Sequence, residues 1–129
     1  MSSTRSSELL RRVLPCDATA PHLAREALAA LDALQPLPTD ALLVASELVT
    51  NAVLHSGCDA SDEVEVVAEA LPGGLRIEVS DPGRSGHAPT LKPHTDAPGG
   101  IGLQIVDSLA RRWGVERRGR MRVWAELAP

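Results

Sequence analysis

The chain has no phenylalanine and no tyrosine, and only Trp113 and Trp124 are aromatic. Its core therefore has to be built from aliphatic side chains. The same shortage removes the stacking platforms on which single-stranded nucleic acid is held. A net charge of -4 also removes general attraction to a phosphate backbone. Direct nucleic-acid binding is not expected. Cys16 and Cys58 stand alone, with no CxxC pair, which argues against zinc. Two free thiols in a reducing cytoplasm are the simplest expectation. No apolar run approaches the roughly 20 residues that cross a bilayer. The Ser-rich start, Met1 to Ser7, has no apolar signal core. The expectation is a cytoplasmic protein with no membrane partner. The pattern GxxxxGK[ST] is missing, which excludes a P-loop. No GxGxxG follows a strand with a later acidic residue, which disfavours a dinucleotide fold.

What is present suits one domain with one core, since 129 residues suffice for that. Residues 1–8 are expected to be disordered and 9–129 to form the domain. Leu9 to Leu14 reads as a short strand ended by Pro15. Thr19 is a candidate N-cap and Pro21 suits a first helical turn. That helix runs to about Leu34, where Gln35-Pro36-Leu37-Pro38 breaks it. Thr39 can cap a second helix from Asp40 to about His55, with Gly57 as its stop. Glu63 to Leu71 alternates in polarity, as does Leu75 to Ser80, across the turn Pro72-Gly73-Gly74. These two runs predict a β-hairpin. Residues 82 to 98 lack periodicity and are expected to form a lid. A third helix, Leu103 to Arg112, is stopped by Gly114. Val115 to Arg118 and Arg122 to Ala128 then form a closing hairpin across Gly119. The predicted fold class is α/β (α+β): a two-layer sandwich, with a mixed, mostly antiparallel sheet covered on one face by three helices.

Three segments carry candidate chemistry. Glu47, Asn51 and His55 fall at i, i+4 and i+8 of the second helix, on adjoining turns of one face. Beside them runs an apolar stripe of Leu42, Ala45, Leu48, Val49, Ala52 and Val53. A magnesium ion that bridges phosphates needs as little as one protein oxygen. The carbonyl oxygen of Asn51 can supply it without adding charge. Glu47 can hold a water or accept a proton, whereas His55 suits the closing of the helix end. Asp81 continues the Leu75, Ile77, Val79 series, so parity turns it toward the apolar face. A carboxylate there needs a partner, either a ligand donor such as an adenine amino group or a distant arginine. Gly83 lets backbone approach a base. Gly99-Gly100-Ile101-Gly102 opens a helix whose free N–H groups suit phosphate. The six arginines at 111, 112, 117, 118, 120 and 122 read as a solvated surface, with an acidic partner as the alternative.

The combination resembles the GHKL ATPase superfamily, with its Bergerat ATP-binding fold. Glu47-Leu48-Val49-Thr50-Asn51-Ala52-Val53-Leu54-His55 looks like its N-box. Asp81-Pro82-Gly83 looks like the first glycine box, and Gly100-Ile101-Gly102-Leu103 like the second. Ser46 to Val53 and Arg111-Arg112-Trp113-Gly114-Val115 resemble the anti-sigma-factor serine/threonine kinase type in its actinobacterial version. The resemblance implies ATP and Mg2+ as cofactors, Asn51 as metal ligand and Glu47 as catalytic base. It further implies that Asp81 contacts adenine, Gly83 lines the base pocket, and Gly100, Ile101, Gly102 and Leu103 hold phosphates. Its kinases phosphorylate an anti-sigma-factor antagonist, bind a sigma factor and often form homodimers. A non-catalytic protein-binding module is the alternative function. The sequence departs from the pattern at Arg122, where relatives commonly carry a small hydroxyl that helps bind adenine, and in the lid Arg84-Ser85-Gly86-His87-Ala88-Pro89.

Overall fold

A computed structural model describes residues 7–83 and 100–129. In chain order the elements are β1 (Ser7–Pro15), α1 (Ala20–Leu34), α2 (Ala41–His55), β2 (Glu63–Leu71), β3 (Gly74–Asp81), α3 (Gly100–Leu109), β4 (Arg112–Arg118) and β5 (Arg120–Leu127). The strands form one sheet in the order β1-β2-β3-β5-β4. All four pairings are antiparallel. The architecture is the expected α+β sandwich, with no parallel pair among the described residues. The strand at 7–15 takes in Ser7 and Glu8, two residues expected to be disordered. The expected lid lies outside the described residues from 84 onward. Among the described residues, no helix is long and apolar enough to cross a membrane.

Helix starts depend on backbone turns more than on side-chain caps. Pro21 sits in the first turn of α1, and Thr19 is at the N-cap without a side-chain cap bond. Thr19 N–H instead donates to Asp17 Oδ1 at 2.8 Å. Asp40, not Thr39, occupies the N-cap of α2, again with no side-chain cap bond. Gly57 follows the C-cap Ser56 with φ +78°, the left-handed conformation that ends helices and favours glycine.

The core is aliphatic. Leu28, Leu48, Val49, Ile77, Val79 and Val106 are fully buried between the helices and the sheet. Each such side chain contributes about 1.5–3 kcal/mol through removal of apolar area from water. α2 lies between α1 and α3 and packs on β3, β2 and β5. This central place explains why it buries residues on most of its circumference.

Cys16 and Cys58 are joined in a disulfide, contrary to the expectation of two free thiols. The β1 exit and the segment after α2 meet at one end of the sheet, where Cys16 N–H donates to Asp62 O at 3.1 Å. Their Cα atoms stand 6.3 Å apart, within the span of a disulfide. The pairing removes the inference from free thiols to a reducing compartment.

Gly114 does not stop a helix. α3 ends at Leu109, and Gly114 sits within β4 opposite Trp124. Trp124 lies on the sheet face away from the helices, where Arg76 stands 4.5 Å over its ring and Arg112 5.6 Å. A Cβ at Gly114 would come within 2.7 Å of Trp124 Cζ2. The glycine is there to let the indole lie flat across β4. Gly114→Ala is expected to destabilise the domain by about 1–3 kcal/mol through this overpacking and to alter tryptophan fluorescence. A urea midpoint and emission spectrum identical to those of the parent would refute that role.

Candidate functional site

Glu47 and Asn51 project from successive turns of α2. Glu47 is half-buried, and Asn51 is 5% exposed. His55 is exposed in the last turn, where a basic group favours the helix dipole. Neighbouring Val49 and Ala52 anchor this part of the helix in the core, which limits the freedom of the polar row beside them.

Asp81 is the last residue of β3, and alternation along that strand places it on the helix-covered face, as parity required. It is 4% exposed. Gly83 N–H donates to Asp81 Oδ1 at 2.6 Å, and Gly83 takes φ +68° to close this turn beside Met121. Burial pushes the Asp81 carboxyl above its usual range. The Gly83 N–H bond and the charges of Arg120 and Arg117 oppose that rise. Two arginines distant in sequence thus act on Asp81 through their charge, although the bonds they make are to backbone carbonyls beside it.

α3 begins at Gly100, so the glycine-rich run opens a helix as expected. Gly99 lies outside the described residues. The first turn of α3 contains no acidic residue to compete with an anion. Leu103 is buried and fixes that turn to the core. α2 contacts both β3 and α3, so it joins the two other elements that carry motifs distant in sequence. A shallow cleft between α2 and α3, lined by Leu43, Gln104, Ile105, Ser108 and Leu109, contains none of the candidate residues.

Sheet register corrects the reading of Arg122. It pairs with Ser80 and Glu116 on the face away from the helices, whereas Asp81 pairs with Met121. The residue that borders Asp81 on its own face is therefore Met121, 3% exposed, and Arg122 is separated from it by the sheet. The row continues across β4 to Arg117, which pairs with Met121. Sequence reasoning misses Met121 and Arg117 as site neighbours. Counting alternation back from Val123, a core-facing position, would find the first of them. The arginine cluster also divides. Arg112 Nε donates to Glu126 at 2.8 Å, and Arg111 Nη2 to Gly73 O at 2.8 Å. Arg117 and Arg120 reach the carbonyls around Asp81. The cluster is not simply a solvated surface.

An antiparallel sheet with three helices on one face, and with these motif-bearing elements gathered around α2, is the architecture of GHKL-type ATPase domains. A family model described as the histidine kinase-like ATPase domain matches residues 8–126, and the chain belongs to that family. ATP binding is what the family implies. Among solved structures, the chain is similar to the RsbU and RsbW domains of Rv1364c from Mycobacterium tuberculosis, with a TM-score of 0.69 and 20% identity. That match covers 92% of this chain and 31% of the other. The likeness is one of fold, and this chain spans under a third of the solved chain's length. No curated protein matches.

Proposed function

We propose that this domain binds Mg-ATP and acts as an anti-sigma-type serine/threonine protein kinase. The observation that carries the proposal is the buried Asn51, held on α2 between the strand that ends in Asp81 and the helix that opens at Gly100. Its carboxamide oxygen is a hard, neutral donor and suits a magnesium ion that arrives with a triphosphate. The ion would neutralise developing charge on the phosphates. Asp81 would accept a hydrogen bond from the adenine amino group, with Gly83 lining the base pocket. Gly100, Ile101, Gly102 and Leu103 would present backbone N–H groups to the phosphates. Glu47, one turn before Asn51, would take the proton from a protein hydroxyl as it attacks the γ-phosphorus in line, the bond from that phosphorus to the β–γ bridging oxygen breaking and ADP leaving with the electron pair. The partner would be a sigma factor or its antagonist in the cytoplasm, with the domain acting as a homodimer. The resemblance of Ser46 to Val53 and Arg111 to Val115 to the anti-sigma-factor kinase type is what suggests this partner.

Glu47→Gln is expected to reduce label transfer from radiolabelled ATP to antagonist protein by about 10²–10⁴-fold while leaving ATP affinity intact. Undiminished transfer would reject Glu47 as base. Failure of the parent to label any antagonist, with ATP still bound, would favour a non-catalytic, nucleotide-dependent binding module. Met121 supports the nucleotide-free form of such a module, because an apolar side chain beside Asp81 offers no hydrogen bond to a base.

A further inference from the structure

The geometry points to Arg117 and Arg120 as positioning residues for nucleobase recognition, holding the Ser80–Gly83 backbone so that Asp81 meets the exocyclic amino group of a 6-aminopurine. This inference rests on the proposed contact between Asp81 and the base. Arginines flanking a hairpin turn ordinarily extend into solvent. These two turn back across the end of the sheet. Arg120 Nη2 donates to Ser80 O at 3.2 Å and to Glu63 O at 3.1 Å, joining the end of β3 to the start of β2. Arg117 Nη2 donates to Gly83 O at 3.3 Å. The carbonyl just before Asp81 and the carbonyl two residues after it are thus each held by a guanidinium. Between them, the Gly83 N–H holds the carboxylate itself.

Position and charge are set together. The guanidinium is donor-only and permanently charged, so it can bond a carbonyl and still act on a nearby carboxylate. Both arginine charges favour the ionised form of Asp81 against its burial. An ionised acceptor makes the stronger hydrogen bond to an amino group. Arg118, at the same turn, is exposed and serves as the control.

The test compares ATP with purine riboside triphosphate, which lacks only the 6-amino group, by calorimetry on the full chain with magnesium. The parent should prefer ATP by about 10-fold or more, the worth of a hydrogen bond to a charged group. In Arg117→Gln/Arg120→Gln that preference should fall to within about threefold, through weaker ATP binding and not through tighter analogue binding. Arg117→Lys/Arg120→Lys should recover part of it, and Arg118→Gln should keep all of it. Equal weakening of both ligands in the double variant, with the preference intact, would make the arginines merely structural and overturn the inference. No preference in the parent would overturn it by removing Asp81 from the base. If the double variant fails to fold, the Arg117→Gln variant carries the comparison, because its single bond lies at the rim.

Discussion

Asn51→Ala is expected to lower ATP affinity in magnesium by at least about 100-fold, about 2.8 kcal/mol at 1.4 kcal/mol per decade. The substitution removes the one side-chain oxygen that α2 offers to the ion at this position. ATP binding without magnesium should change little, because the base and phosphate contacts assigned to other elements remain. Alanine is the best helix former, so the thermal midpoint should stay near that of the parent. This separates a lost ligand from a damaged helix. Asn51→Asp should weaken binding as well, since it adds negative charge beside a polyphosphate. Calorimetry with and without magnesium decides the matter. Unchanged affinity for Mg-ATP in the alanine variant would reject the site assignment.

Reduction of the Cys16–Cys58 bond is expected to lower stability by about 4 kcal/mol, the loop-closure value for a separation of 42 residues. The bond encloses both α1 and α2, so it constrains the unfolded chain across the two helices that carry much of the core. The segment it ties down follows the helix bearing Glu47 and Asn51. Urea unfolding with and without reductant measures the effect, and a Cys16→Ser/Cys58→Ser variant should match the reduced parent and ignore reductant. Coincident midpoints for oxidised and reduced parent would show that the cross-link does not contribute.

Much of the layout is legible in the sequence where a local period dictates it. β2 occupies Glu63–Leu71, the limits its alternation predicts. α2 covers the run whose helical spacing places Glu47, Asn51 and His55 together. Alternation along β3 suffices to put Asp81 on the covered face. Sequence reasoning fails where a residue's meaning depends on another strand or helix. Gly114 reads as a helix stop because glycine commonly is one, yet Trp124 on the neighbouring strand is its reason for being there. Arg122 reads as a departure at the base site because it precedes the last Val-Trp pair, where relatives carry a small hydroxyl, yet register turns it to the opposite face from Asp81.

By itself, then, the sequence determined the succession of helices and strands, the face that Asp81 takes and the three motifs of the candidate site. Those properties follow from spacings of two and three to four residues along one segment. Only the tertiary structure decided that Cys16 meets Cys58, that Met121 borders Asp81, and that Arg117 and Arg120 bracket it. Such meetings depend on inter-strand register and on which ends of the layers coincide. These are set by burial of the whole aliphatic core, and no short stretch of residues encodes them.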